Sequence, residues 1–264
     1  MVALESKLAA YDLSDKTILV TGSSKGIGAS IVRCLGDHGA SVAAHYSSDR
    51  RGADESTAAI ADSRRLLLEA DFGNLDEVEA LWDATLEWSG KIDVLVLNAA
   101  IMLWDGGFDQ PRESWDAVWE KTLGVNVLAS ARLLRRAVRH FLDRDGGTII
   151  TISSWAAQKG VTNPSTIAYG SSKAAIHAAT QTIARAFARD GILAYVVAPG
   201  VVRTRLSEQF AATQGGEESI TAGLAMGEWV PPDEIGELVA FLATGRVRHL
   251  SGATLDINGA SYIR

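Results

Sequence analysis

The chain has 264 residues, 47% hydrophobic and 22% charged, which is apolar mass for one large α/β domain or two small ones. A formal net charge of −7 argues against general nucleic-acid binding, and no apolar run is long enough to suggest a membrane span. The single cysteine, Cys34, excludes an internal disulfide and a cysteine-rich zinc site, and the opening residues lack the apolar core of a secretory signal, so the sequence predicts a cytoplasmic protein.

In chain order, the pattern predicts strands at 17–21, 41–46, 65–70, 94–97, 148–152, 193–198 and 254–257. Between them it predicts helices at 27–38, 53–61, 75–88, 112–141, 167–189 and 232–243. Strands separated by helices of this length imply βαβ units. The strands are near-continuous apolar runs, as expected when both faces are covered. The fold expected is a single-domain α/β Rossmann-type doubly wound parallel sheet of about seven strands, with helices on both faces. Residues 208–230 break the rhythm, being rich in Gly, Ala, Thr and Glu and closed by Pro231 and Pro232. A stretch of that length without clear periodicity predicts a lid or a disordered loop, here at about 205–231 beside the carboxyl edge of the sheet.

The first predicted strand runs into Thr21-Gly22-Ser23-Ser24-Lys25-Gly26-Ile27-Gly28. Glycines between a strand and a helix permit a tight turn and a close backbone approach to a pyrophosphate. The helix that follows aims its free N–H groups at the same phosphate. This predicts a dinucleotide site. The tip of the second strand distinguishes NAD from NADP, since an acid there binds both ribose hydroxyls and repels a 2′-phosphate. Here it reads His45-Tyr46-Ser47-Ser48, with Asp49, Arg50 and Arg51 beyond and Lys25 in the glycine turn. Neutral hydroxyls with nearby cations favour NADP, with NAD as the alternative.

Tyr169 and Lys173, spaced i, i+4, share one face of the helix predicted at 167–189. An adjacent ammonium lowers a phenol's pKa toward the range of general acid–base catalysis. Ser153 and Ser154 end the strand predicted at 148–152 and would lie on the same sheet edge, where a hydroxyl can hold a substrate oxygen. Ser154 is the preferred of the two.

The remaining candidates have mainly structural expectations. Asp93 starts a strand. Cys34 is a buried packing residue. Trp82 and Trp88 fit packing positions, and His177 fits packing or an interface. Arg132, Arg135, Arg136, Arg139 and His140 read as a solvated or subunit-facing helix side. The histidines lack metal-ligand spacing, so no metal is expected. Trp104 and Trp155 follow strand tips and suggest a flat or apolar substrate pocket.

The ordered set Thr21-Gly22-x-x-x-Gly26-Ile27-Gly28, Asp71-Phe72, Asn98-Ala99-Ala100, Asn126, Ser153-Ser154, Tyr169-x-x-x-Lys173, Pro199-Gly200-x-x-x-Thr204 and Leu255-Asp256-Ile257-Asn258-Gly259 resembles the short-chain dehydrogenase/reductase family over nearly the whole chain. The resemblance implies a catalytic set of Asn126, Ser154, Tyr169 and Lys173. In it Tyr169 is the general acid of reduction, Lys173 also binds the nicotinamide ribose, and Asn126 holds a water for proton supply. It implies cofactor contacts from Gly22, Ser24, Lys25, Gly26, Ile27, Gly28, Tyr46, Ser47, Asp71, Phe72, Asn98, Ala99, Tyr169, Lys173, Pro199, Gly200, Val202 and Thr204. A homotetramer or homodimer is implied as well. The chain departs from the family pattern at Ala100, in the fifteen-residue spacing of Ser154 to Tyr169, and at Ala260.

The function expected is hydride transfer between a nicotinamide cofactor and a carbonyl or alcohol, with NADPH-dependent reduction of a ketone or aldehyde preferred. The alternatives are NAD-dependent oxidation of an alcohol or polyol, a non-catalytic dinucleotide sensor, and an isomerase or dehydratase. The length of the chain argues against the last.

Overall fold

The computed structural model describes residues 11–212 and 214–264. Seven parallel strands form one sheet: β1 (Thr17–Val20), β2 (Ser41–Tyr46), β3 (Arg65–Glu69), β4 (Val94–Leu97), β5 (Gly147–Ile152), β6 (Ile192–Pro199) and β7 (Thr254–Ile257). Their order is β3-β2-β1-β4-β5-β6-β7. The chain therefore reverses direction between β1 and β4, the switch point where open α/β sheets bind ligands at the carboxyl ends of their strands.

Alternation along the strands divides the apolar side chains between two cores. Ile18 and Val20 of β1 face one side. There they pack with Ile31, Val32 and Leu35 of α1 (Gly26–Asp37) and with Ile235 and Val239 of the C-terminal helix, Pro232–Ala243. Leu19 faces the other side. It packs with Trp82 of α3 (Leu75–Ser89), Leu133 and Phe141 of the helix Ser130–Leu142, and Ile176 of the helix Ile167–Ala186. The short helix α2 (Arg50–Thr57) links β2 to β3. Burying one Leu or Ile side chain is worth roughly 1.5–3 kcal/mol, so both layers anchor the strand tips that carry the site.

Several boundaries differ from the sequence pattern. The predicted 112–141 helix is two helices, α4 (Arg112–Leu123) and α5 (Ser130–Leu142), joined by a π-helical segment, Gly124–Ala129. Hydrophobic periodicity is blind to one extra residue in a turn, and π segments often mark functional positions. The helix predicted at 53–61 begins earlier, because the Asp49 carboxylate accepts the Gly52 N–H at 2.9 Å and caps α2. A four-residue helix unseen in the pattern, α6 (Ala156–Lys159), precedes α7 (Ile167–Ala186).

The segment read as a lid or loop, about 205–231, carries two short helices among the described residues. It contains α8 (Arg205–Ala212) and α9 (Glu217–Ala222), followed by α10 (Pro232–Ala243). Each lid helix spans about two turns or fewer, too few for a periodicity to show. The basic helix face is also partly internal. Arg136 pairs with Glu79 of α3 at 2.8 Å and with Asp83, and Arg132 reaches Glu79 at 3.4 Å. Among the described residues no helix is long and apolar enough to cross a membrane.

Candidate active site

The turn from β1 to α1 is shaped by glycine. Gly22 has φ +69°, and a Cβ there would sit 2.9 Å from Ala99 Cα. A Cβ on Gly28 would drive into the Gly22 carbonyl and Asn98 Nδ2. Thr21 and Asn98 tie this turn to the tip of β4. Asn98 Nδ2 donates to the Thr21 and Gly22 carbonyls, both at 2.9 Å, while Thr21 Oγ1 accepts the Asn98 and Ala99 N–H groups at 2.9 and 3.1 Å. α1 has no side-chain cap and no acid in its first turn, so its leading N–H groups remain available to an anion. Across the groove, a Cβ on Gly26 would meet Thr204 Cγ2 at 3.1 Å. A bare backbone cradle at a helix start, faced by the 199–204 loop, fits the pyrophosphate of a dinucleotide.

His45 braces this turn from below and was not anticipated from the sequence. Its Nδ1 accepts the Gly22 N–H at 3.0 Å, its Nε2 lies 3.0 Å from the Ala70 carbonyl, and its ring stacks on Phe72 at 4.2 Å. Burial holds its pKa down at about 4, so the ring is neutral at pH 7. Only a lone histidine in an apolar strand marked it.

The cofactor candidates from the sequence divide into two groups. The start of α2 packs on the glycine turn at Ser24, next to Lys25: a Cβ on Gly52 would collide with the Ser24 carbonyl. Lys25, Ser47 and Arg50 are exposed, and Lys25 and Arg50 have no ion pair among the described residues. The side chains of Tyr46, Phe72 and Val202 point inward instead, only 2, 4 and 3% exposed. Tyr46 directs its hydroxyl to Glu69 at 3.3 Å. Asp71 is exposed and accepts the Gly73 N–H at 2.8 Å. Ile27 packs its side chain against the core. Gly200 donates its N–H to Ile257 and lines the substrate cleft, and Pro199 ends β6 beside it.

Ser154, Tyr169 and Lys173 come together where β5 meets α7. Ser154 and Tyr169 line one open cleft of about 700 Å³, the open solvent at its mouth included, with the serine hydroxyl beside the phenol. Ser153 turns away and donates to the Lys173 carbonyl at 3.2 Å. Lys173 is buried; its Nζ donates to the Ile152 carbonyl at 2.9 Å and lies 5.8 Å from the centre of the Tyr169 ring. Burial lowers the Lys173 pKa to about 8. Burial also raises the Tyr169 phenol above its ordinary value, and the neighbouring Ser154 hydroxyl opposes this. The lowering expected from the ammonium is thus overturned in this geometry, because Lys173 is directed to Ile152 and desolvation dominates the phenol.

Asn126 sits in the π segment and is buried. It bonds both backbone groups of Ile101, at 2.8 and 2.9 Å, and donates to Ser172 Oγ at 2.9 Å; Ser172 in turn donates to the Tyr169 carbonyl at 2.7 Å. It therefore braces the start of α7 against the loop after β4. Trp155 lines the cleft, as do Leu206 and Phe210 of α8. Trp104, expected at the substrate pocket, is not among the residues lining the cleft and reaches it only through Phe210, on which it stacks at 5.9 Å. His177 bonds Thr254 at 2.9 Å, and Asp93 accepts the Thr17 N–H at 2.8 Å. Cys34 is buried, and burial raises its thiol to about 11.

The family model described as enoyl-(acyl carrier protein) reductase matches residues 22–260. The chain is 34% identical over 251 residues to 3beta-hydroxysteroid dehydrogenase 1 of Eggerthella lenta, covering 94% of each chain. A solved dehydrogenase/reductase from Sinorhizobium meliloti superposes with a TM-score of 0.86 at 31% identity, covering 98% of this chain and 100% of that one. A 3-ketoacyl-(acyl-carrier-protein) reductase from Brucella melitensis, complexed with NADH, superposes with a TM-score of 0.82 at 25% identity, covering 94% and 98%. With the motif residues gathered at one edge of the sheet and similarity running from end to end, the chain belongs to the short-chain dehydrogenase/reductase family, NAD(P)(H)-using oxidoreductases of hydroxyl and carbonyl groups.

Proposed function

We propose that the protein reduces a ketone or aldehyde at the expense of NADPH, with Tyr169 as the general acid. The observation that carries this is the meeting of the Tyr169 phenol and the Ser154 hydroxyl in one cleft, with buried Lys173 one helical turn away. NADPH, when bound at the glycine turn, supplies the hydride to the carbonyl carbon. Ser154 orients the carbonyl oxygen by a hydrogen bond. Tyr169 gives that oxygen its phenolic proton as the C=O bond becomes an alcohol, and a proton from solvent restores the phenol. Lys173 binds the nicotinamide ribose, and Asn126 braces the start of α7 through Ser172.

Preference for NADPH is supported by Lys25 and Arg50 near the β2 tip and by the commitment of the Asp49 carboxylate to capping α2. The assembly proposed is a cytoplasmic homotetramer or homodimer associating through α4, α5 and α7; Leu128, in the π segment between α4 and α5, is 53% exposed. The experiment is parallel tryptophan-fluorescence titration with NADPH and NADH, followed by NADPH oxidation across a panel of ketones and aldehydes. Tighter NADPH binding and turnover lost in Tyr169→Phe are expected. Tighter NADH binding redirects the assay to alcohol oxidation, and binding of neither overturns the proposal.

A further inference from the structure

The substrate cleft is walled mainly by apolar groups, among them Met102, Val161, Leu206 and Phe210. Among the described residues no acidic side chain lines it, but one cation does: Lys159. This lysine was not among the candidates drawn from the sequence. It is the last residue of α6, four positions after Trp155, so the two side chains share a helix face. Its Nζ lies 3.8 Å from the centre of the Trp155 ring and 5.9 Å from that of Tyr262. Its ammonium has no carboxylate partner among the described residues. The two rings orient the cation without neutralising it. A short helix ending at Gly160 fixes this lysine five residues beyond Ser154, on the same wall of the cleft.

We infer that Lys159 is a specificity residue that anchors the anionic end of an amphiphilic substrate, whose apolar body lies along the cleft toward Ser154 and Tyr169. The substrate class is then a carbonyl compound bearing a carboxylate or a comparable anion at one end of a hydrocarbon frame. This rests on the carbonyl-reduction reading of the same cleft. A charge-assisted bond beside an apolar wall is stronger than a neutral one, and an uncharged isostere forgoes it. Lys159 is exposed at the mouth of the cleft, where its positive charge raises the local concentration of anions.

Binding separates this inference from turnover. Octanoate and octanamide are titrated calorimetrically into the full chain, into Lys159→Met and into Lys159→Arg. Octanoate is expected to bind the native protein about tenfold more tightly than octanamide. Lys159→Met removes the preference and Lys159→Arg keeps it. Equal affinities in the native protein, no binding of either probe, or a preference that survives Lys159→Met overturns the inference. A native protein that discriminates octanoate through Lys159 yet reduces no ketone supports the anion anchor and sinks the carbonyl-reduction reading. In turnover, an eight-carbon oxo acid is expected to show a KM about tenfold below that of its amide, and Lys159→Met to raise that KM with little change in kcat.

Discussion

The Gly22 N–H donates to Nδ1 of His45 at 3.0 Å, which ties the glycine turn to the second strand of the sheet. The bond requires a neutral imidazole with its proton on Nε2, directed at the Ala70 carbonyl. Protonation of Nδ1 breaks it and leaves a buried charge beside the glycine turn.

Stability is therefore expected to fall as pH drops from about 6.5 through about 4. The folded pKa, about 4, lies below the unfolded value of 6.5, so the unfolded chain binds the extra proton across that window. The loss is on the order of 3 kcal/mol from this group. Denaturant midpoints at pH 7, 5.5 and 4.5 measure it, and His45→Gln should flatten the profile. An unchanged slope in that variant would assign the acid sensitivity to other groups.

Gly28→Ala tests the backbone cradle. The added methyl must displace the Gly22 carbonyl or the Asn98 amide. Overpacking of this kind costs about 1–3 kcal/mol. A drop of several degrees in Tm and loss of dinucleotide binding are expected together. A variant that binds dinucleotide as tightly as the native chain would disprove the close packing at this turn.

Ser154→Ala and Ser153→Ala should separate sharply. Ser154 faces the Tyr169 phenol in the cleft, whereas Ser153 bonds the Lys173 carbonyl within the core. Loss of the Ser154 hydroxyl is expected to lower kcat by about 10²–10³-fold, the scale of one lost transition-state donor. Ser153→Ala should cost stability of about 1 kcal/mol and far less activity. Steady-state kinetics beside thermal melts decides the assignment, and the reverse pattern would transfer the role to Ser153.

Lys173 carries the opposite linkage to a surface lysine. Its folded pKa of about 8 lies below the ordinary 10.5, because burial disfavours the ammonium. Between those two values the unfolded chain binds more protons, so stability from this group rises with pH. The native protein should gain relative to Lys173→Met by on the order of 1–3 kcal/mol as pH rises from 7 to above 10. Parallel melting profiles of the two proteins would contradict a buried ammonium at this position.

Much of this molecule was written in local pattern. The alternation of apolar runs with helical spacing announced the parallel sheet. Thr21 to Gly28 announced the glycine turn between β1 and α1, because a tight backbone turn before a helix needs glycine whatever surrounds it. Tyr169 and Lys173 were legible because four residues are one helical turn. What lay outside local pattern was set by contacts between segments distant in the chain. Burial, which depends on the packed sheet and helices, set the direction of the Tyr169 and Lys173 shifts. His45 acquired its partners only when β2 was laid beside β1 and β3. Ser153 and Ser154, adjacent in sequence, were sent to opposite environments by the end of β5. Lys159 became a cleft cation only because α6 folded it over Trp155. Sequence by itself determined which elements form and which chemistry they carry; tertiary structure decided which side chains face the cleft and how they ionise, since desolvation and long-range hydrogen bonds arise only when distant segments are packed together.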